Sequence, residues 1–126
     1  PSVDLPMRYP SVEEFASGYF LTKEGMKWFR SHYLQTPEQA YEAELLFLQQ
    51  DLSGLPPAFI ITAGFDPLRD EGKAFADRLS EHNVPVKHIC YTDMIHGFLS
   101  FSGGISAGMD LIEEIGNELQ ENLFIG

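Results

Sequence analysis

Basic residues are scarce in this chain. Eight Lys or Arg stand against 19 Asp or Glu in 126 residues, a formal net charge of −11. No Lys or Arg follows Lys87, whereas Asp93, Asp110, Glu113, Glu114, Glu118 and Glu121 do. Such a chain repels phosphate backbones and anionic lipid surfaces, which argues against nucleic-acid and headgroup partners. Cysteine is nearly absent as well. Cys90 alone cannot close an internal disulfide, and no Cys/His cluster has zinc spacing, so no metal is expected. There is no run of 18 apolar residues, which excludes a transmembrane helix in this stretch. Internal repeats, low-complexity tracts and linkers are missing too, and the first residues do not read as a signal peptide. The remainder, 44% hydrophobic, is ordinary globular composition and enough for one domain at most.

Periodicity gives the elements. A short extended piece is expected around Leu5–Tyr9, ended by Pro10. Ser11 and Glu14 have capping-box spacing and open a helical turn, which Gly18 weakens. Thr22 reads as the N-cap of a stronger helix over roughly Lys23–Leu34, with Met26, Phe29 and Tyr33 on one face. Thr36-Pro37 with Gln39 repeats the cap signature and predicts a second helix to about Gln50. Gly54 and Pro56-Pro57 then break the chain. Ala58–Ala63 is an almost continuous apolar run, as in a parallel strand buried on both faces. An amphipathic helix follows Pro67 to about His82, Val86–Tyr91 is the next strand, and a last helix carries Leu111, Ile112, Ile115 and Leu119. Strand, helix, strand, helix is the order of a parallel α/β sheet with right-handed crossovers.

In such sheets, ligands and reactive groups sit beyond the carboxyl ends of the strands. Asp66 follows one predicted strand and His96 the next, separated by a single βαβ unit. Neighbouring strands would deliver both side chains to one edge, where the carboxylate can fix the imidazole tautomer and make His96 a general base. Plainer readings stand beside this one. Asp66-Pro67 also suits a turn or helix N-cap, and His96-Gly97 a solvated loop. His32, His82 and His88 have no carboxylate in reach by pattern and are read as structural. Cys90 reads as a small core residue. The Met26, Trp28, Phe29, Tyr33 cluster reads as core rather than ligand wall. Gly104-Ile105-Ser106-Ala107-Gly108 matches the G-x-S-x-G of a nucleophile elbow. The stretch before it is a poor strand, however, and its serine comes after the acid and the histidine instead of before them. Ser106 is read as a cap for the last helix.

Two stretches carry a family likeness. Leu55-Pro56-Pro57-Ala58-Phe59-Ile60-Ile61-Thr62-Ala63-Gly64-Phe65-Asp66-Pro67-Leu68-Arg69-Asp70-Glu71-Gly72 and, about thirty residues later, Met94-Ile95-His96-Gly97-Phe98 are the specific part. Tyr9-Pro10, Leu21-Thr22 through Met26, Trp28-Phe29 and Tyr33-Leu34 add support. Together they resemble the C-terminal signature of the hormone-sensitive lipase family of esterases and lipases, which have the α/β-hydrolase fold. The resemblance implies that Asp66 is the triad acid and His96 the triad base. Glu44-Leu45-Leu46 departs from the Ser-Pro-Leu common in the family at that point. The family's H-G-G-G oxyanion motif and G-D-S-A-G-G nucleophile motif, which precede this region, are absent.

The expectation is therefore the C-terminal portion of an α/β-hydrolase domain spanning residues 1–126, with about three parallel strands, flanking helices and part of a helical cap. Residues 11–50 would be cap-related and 55–126 would carry the Asp/His part. The beginning at Pro1 without Met agrees with a piece of a longer chain. The implied parent is a serine carboxylesterase or lipase acting on short to medium acyl esters, with no cofactor and no metal. The isolated chain would be inactive and, with a sheet edge exposed, would self-associate. The alternative is a degenerate hydrolase half acting as a non-catalytic assembly module.

Overall fold

The apolar run after Pro57 does form a strand, β1 (Ala58–Phe65), and the run after Pro85 a second, β2 (Val86–Ile95). They belong to a computed structural model that describes residues 2–42 and 45–123. The strands pair in parallel, Ala58 opposite Val86 and Phe65 opposite Ile95, and helix α3 (Arg69–Glu81) makes the crossover between them. Its Ala76 and Leu79 pack with Leu52, Ile60 and Val84 into one apolar cluster. Asn83, with φ of 60°, turns the chain out of α3 toward β2.

Upstream, α1 (Pro10–Glu14) is a short turn of helix with proline in its first position, and α2 (Lys23–Tyr33) is the strong helix expected there. Thr22 caps α2 as the sequence predicts, its Oγ1 accepting the Gly25 N–H at 3.0 Å. Val12 of α1, Met26 of α2 and Leu68 ahead of α3 form a second buried cluster. This cluster ties the N-terminal helices to the loop after β1.

Three expectations fail. Leu5–Tyr9 is not a third strand: among the described residues the sheet has two strands, and this segment turns at Leu5-Pro6. Asp4 captures the backbone N–H of Arg8 at 2.7 Å and its Nε at 2.9 Å, and the Met7 N–H reaches back to the Asp4 carbonyl. Local side-chain bonding of this kind competes with an extended ladder. The helix expected from Pro37 to Gln50 is replaced by 3₁₀ turns, among them Pro37–Tyr41 and Phe47–Gln49; residues 43–44 lie outside the described residues. The Leu48 carbonyl is given to Arg78 Nε of α3 at 3.1 Å rather than to a helical partner, so tertiary contact overrides propensity. The third failure is on α2, where Phe29 and Tyr33 are more than half exposed and Met26 alone is buried.

The chain divides into two compact units, Pro1–His96 and Gly97–Gly126. The second unit is a 3₁₀ turn, Phe98–Phe101, followed by α4 (Ser106–Leu123). Gly108 lets α4 lie against Ser102, since a Cβ there would stand 2.7 Å from the Ser102 Cα. The expected apolar stripe is half realised: Leu111 is buried and Ile115 partly so, while Ile112 and Leu119 are exposed. No helix among the described residues is long and apolar enough to cross a membrane.

Glu71, in the first turn of α3, has no exposed surface. Its Oε1 accepts the Val3 N–H at 2.8 Å and its Oε2 has no partner. Burial, with the nearby Asp4 charge adding, pushes its carboxyl up from 4.5 to about 7. The folded chain thus holds this proton more tightly than the unfolded chain does. The resulting stability is full below pH 4.5 and is lost as the pH rises through about 7. The difference is worth about 3 kcal/mol. Glu71→Gln, which keeps the shape without the titration, should flatten this part of the profile. Urea unfolding at pH 5 and pH 8 checks it; an equal pH response in both proteins would be the contrary result.

Candidate active site

Because Phe65 and Ile95 are register partners, the next residue on each strand leaves the sheet at the same edge. Those residues are Asp66 and His96. The structure brings them together, His96 Nδ1 lying 2.8 Å from Asp66 Oδ2. A carboxylate only accepts, so Nδ1 carries the proton and donates, leaving Nε2 with a free lone pair. The Asp66 side chain is 8% exposed and that of His96 38%, so the acid is enclosed while the imidazole is reachable.

The turn reading of Asp66 holds at the same time. Its Oδ1 accepts the Leu68 N–H at 2.8 Å, an Asx turn that opens α3, while Oδ2 meets His96. One oxygen shapes the loop and the other holds the ring. The acid loop is clamped from α1: Ser11, fully buried, donates its Oγ–H to the Pro67 carbonyl at 2.7 Å and its N–H to Asp70 Oδ2 at 3.0 Å. Arg69 adds a bond from Nη1 to the Gly64 carbonyl and an ion pair to Glu14, with its guanidinium over the Phe15 ring.

The histidine depends on a bulge. Ala63 faces Tyr91 and Phe65 faces Ile95, so two steps along β1 match four along β2. The extra residues of β2 press onto Gly64, where a Cβ would meet the Thr92 carbonyl oxygen at 2.0 Å. Only glycine admits that approach.

A pocket of about 310 Å³ adjoins the pair. Leu5, Met7, Leu21, Met26, Phe29 and Leu68 give it apolar walls, and His96 lines it. Phe29 and Tyr33, expected in the core, are pocket wall instead. The size suits a small organic ligand. Among the described residues, no group of three His, Cys, Asp or Glu is placed to hold a metal ion.

The remaining candidates fall elsewhere. His82 has a carboxylate partner that the sequence pattern does not reveal, Asp51 Oδ1 at 3.0 Å, 31 positions upstream. That pair sits where α3 ends and the chain approaches the amino end of β1, opposite to where ligands bind in such sheets. Asp51 is highly exposed. Its carboxyl is drawn down to about 2, first by the Ser53 hydroxyl and backbone N–H and then by His82. His88 Nε2 meets Thr62 Oγ1 at 3.0 Å, with burial lowering its pKa, and His32 packs against the Trp28 ring with the two planes tilted by 36°. Cys90 is free and half-buried. Ser106 is the first residue of α4, with a 3₁₀ turn rather than a strand upstream, so the G-x-S-x-G match lacks the strand of an elbow. Ser11 is not the helix cap its spacing suggests: α1 begins at Pro10 with no side-chain cap, and the Ser11 hydroxyl goes to Pro67 instead. The roles of Ser11, Glu71 and Gly64 rest on partners 28 to 68 positions away, which no local pattern marks.

Comparison with known proteins agrees with this architecture. A family model for the alpha/beta hydrolase fold matches residues 1–100. Carboxylesterase NlhH of Mycobacterium tuberculosis is 50% identical over 106 residues, 81% of this chain and 33% of its own length. An arylesterase of Saccharolobus solfataricus is 36% identical over 107 residues, covering 79% of this chain and 33% of itself. A hyperthermophilic esterase from the archaeon Pyrobaculum calidifontis superposes with a TM-score of 0.90 at 33% identity, over 96% of this chain and 41% of that one. The chain spans about a third of the length of these curated relatives.

Proposed function

Since the chain belongs to the hormone-sensitive-lipase type of the α/β-hydrolase family, we propose that it is the Asp/His-bearing C-terminal part of a serine carboxylesterase acting on short to medium acyl esters. The 2.8 Å contact between Asp66 and His96, at the carboxyl edge of the sheet beside an apolar pocket, is the observation that carries this reading. Residues 11–50 would contribute to the cap and residues 55–126 would supply acid and base.

The nucleophile is a serine in the portion of the protein preceding this chain. His96 Nε2 takes the serine proton as the oxygen attacks the ester carbonyl, and Asp66 stabilises the imidazolium. Backbone N–H groups, also upstream, hold the oxyanion. Nε2 then returns the proton to the departing alcohol, leaving an acyl-serine. In the second half Nε2 takes a proton from water as its oxygen attacks the acyl carbon, then returns that proton to the departing serine oxygen, which releases the carboxylic acid and the free serine.

Serine-directed labelling tests the assignment. A fluorophosphonate should label the full-length protein at a serine preceding residue 1 and leave the 126-residue chain unlabelled. Ser106→Ala in the full-length protein should change neither labelling nor hydrolysis of p-nitrophenyl butyrate. Label on Ser106, or a dead Ser106→Ala enzyme, would refute it.

A further inference from the structure

The pocket beside His96 contains one strong cation. Met26, Phe29, Arg30 and Tyr33 follow helical spacing along one face of α2 and all line the cavity. Arg30 is half-buried among apolar walls, and among the described residues it makes no ion pair. Among the described residues its hydrogen bond runs from Nη1 to the Leu5 carbonyl, at 2.8 Å. Arg30 also borders a smaller hollow with Lys27 and Thr36, but Leu5 lines the His96 pocket and not that hollow. The guanidinium is therefore anchored on the side of the His96 pocket. A carbonyl occupies one of five N–H donors and cancels none of the charge. A planar cation with free donors, set in an apolar cavity, matches a carboxylate at the end of an aliphatic chain.

We infer that Arg30 reads a free carboxylate on the ligand, so that the preferred substrates are esters bearing a second, ionised acid group, such as the half-esters of dicarboxylic acids. The ester end meets His96, the methylene chain lies along Met7, Leu21, Met26 and Leu68, and the distal carboxylate pairs with Arg30. The assignment of an ester rests on the function proposed above; the anion preference of the pocket does not. The chain's net charge of −11 works against anion entry, which makes a local cation the more necessary.

Hexanoate and its uncharged isostere hexanamide separate the two questions. Each is titrated into the full-length protein while the His96 imidazole resonances are followed by NMR. Hexanoate should bind about tenfold more tightly, as expected for one charge-assisted pair. That preference should vanish in Arg30→Met and survive in part in Arg30→Lys. Equal affinities, a preference unchanged in Arg30→Met, or no binding of either compound at millimolar concentration would overturn the inference. In turnover, the kcat/KM ratio of monomethyl to dimethyl adipate should fall by about tenfold in Arg30→Met. A protein that hydrolyses no ester but keeps the hexanoate preference would sink the esterase reading alone.

Discussion

His96→Ala in the full-length protein should lower kcat/KM for p-nitrophenyl butyrate by at least about 10³-fold, because no other base lines the pocket among the described residues. Asp66→Asn should cost roughly 10⁴-fold while leaving the fold intact. The structure supplies the reason. Oδ1 accepts the Leu68 N–H at 2.8 Å, so an asparagine must keep its carbonyl there and turn its NH₂ toward His96. That NH₂ donates to Nδ1, which forces the proton onto Nε2 and removes the lone pair the reaction needs. Near wild-type turnover of either variant, with the Asp66→Asn protein folded by circular dichroism, would refute the role proposed for the pair.

Gly64→Ala is expected to be the most damaging single-methyl change in the sheet. The added carbon would lie 2.0 Å from the Thr92 oxygen and 2.5 Å from its carbonyl carbon, both backbone atoms with no rotamer to change. Relief requires β2 to move away just ahead of His96. Overpacking of this kind costs about 1–3 kcal/mol, and more where backbone must shift. Urea unfolding should show the loss, and NMR should show a weakened hydrogen bond at His96 Nδ1. Wild-type stability with an unchanged Nδ1–H resonance would mean that the bulge is not under steric control.

Much of this was legible because the signals are local. β1 and β2 are apolar runs bounded by proline, and Thr22 sits where a cap should. Asp66 and His96 follow strand ends, and a parallel pair brings such positions to one edge. What escaped depends on partners far along the chain. Leu5–Tyr9 alternates like a strand, yet Asp4 holds Arg8 in a turn. Residues 37–50 have helical composition, yet a carbonyl is diverted to Arg78. The Asp51–His82 pair spans 31 positions, and nothing local in the sequence announces it. Phe29 and Tyr33 show helical spacing whether they face a core or a cavity, so periodicity alone cannot tell the two apart.

The Ser11 clamp bears on what could be transplanted to another scaffold. A segment cut at the Gly54 turn would carry both strands, α3, the acid and the histidine, and would look self-sufficient in sequence. It would leave behind the hydroxyl bonded to the Pro67 carbonyl and the amide bonded to Asp70, 56 and 59 positions upstream of those partners. An orphaned buried polar group costs about 1–3 kcal/mol, and here the orphans sit next to Asp66. The smallest portable unit therefore begins ahead of α1. A designer borrowing this Asp–His pair must take the turn of helix at Pro10–Glu14 with it, or build a substitute donor for the Pro67 carbonyl into the host.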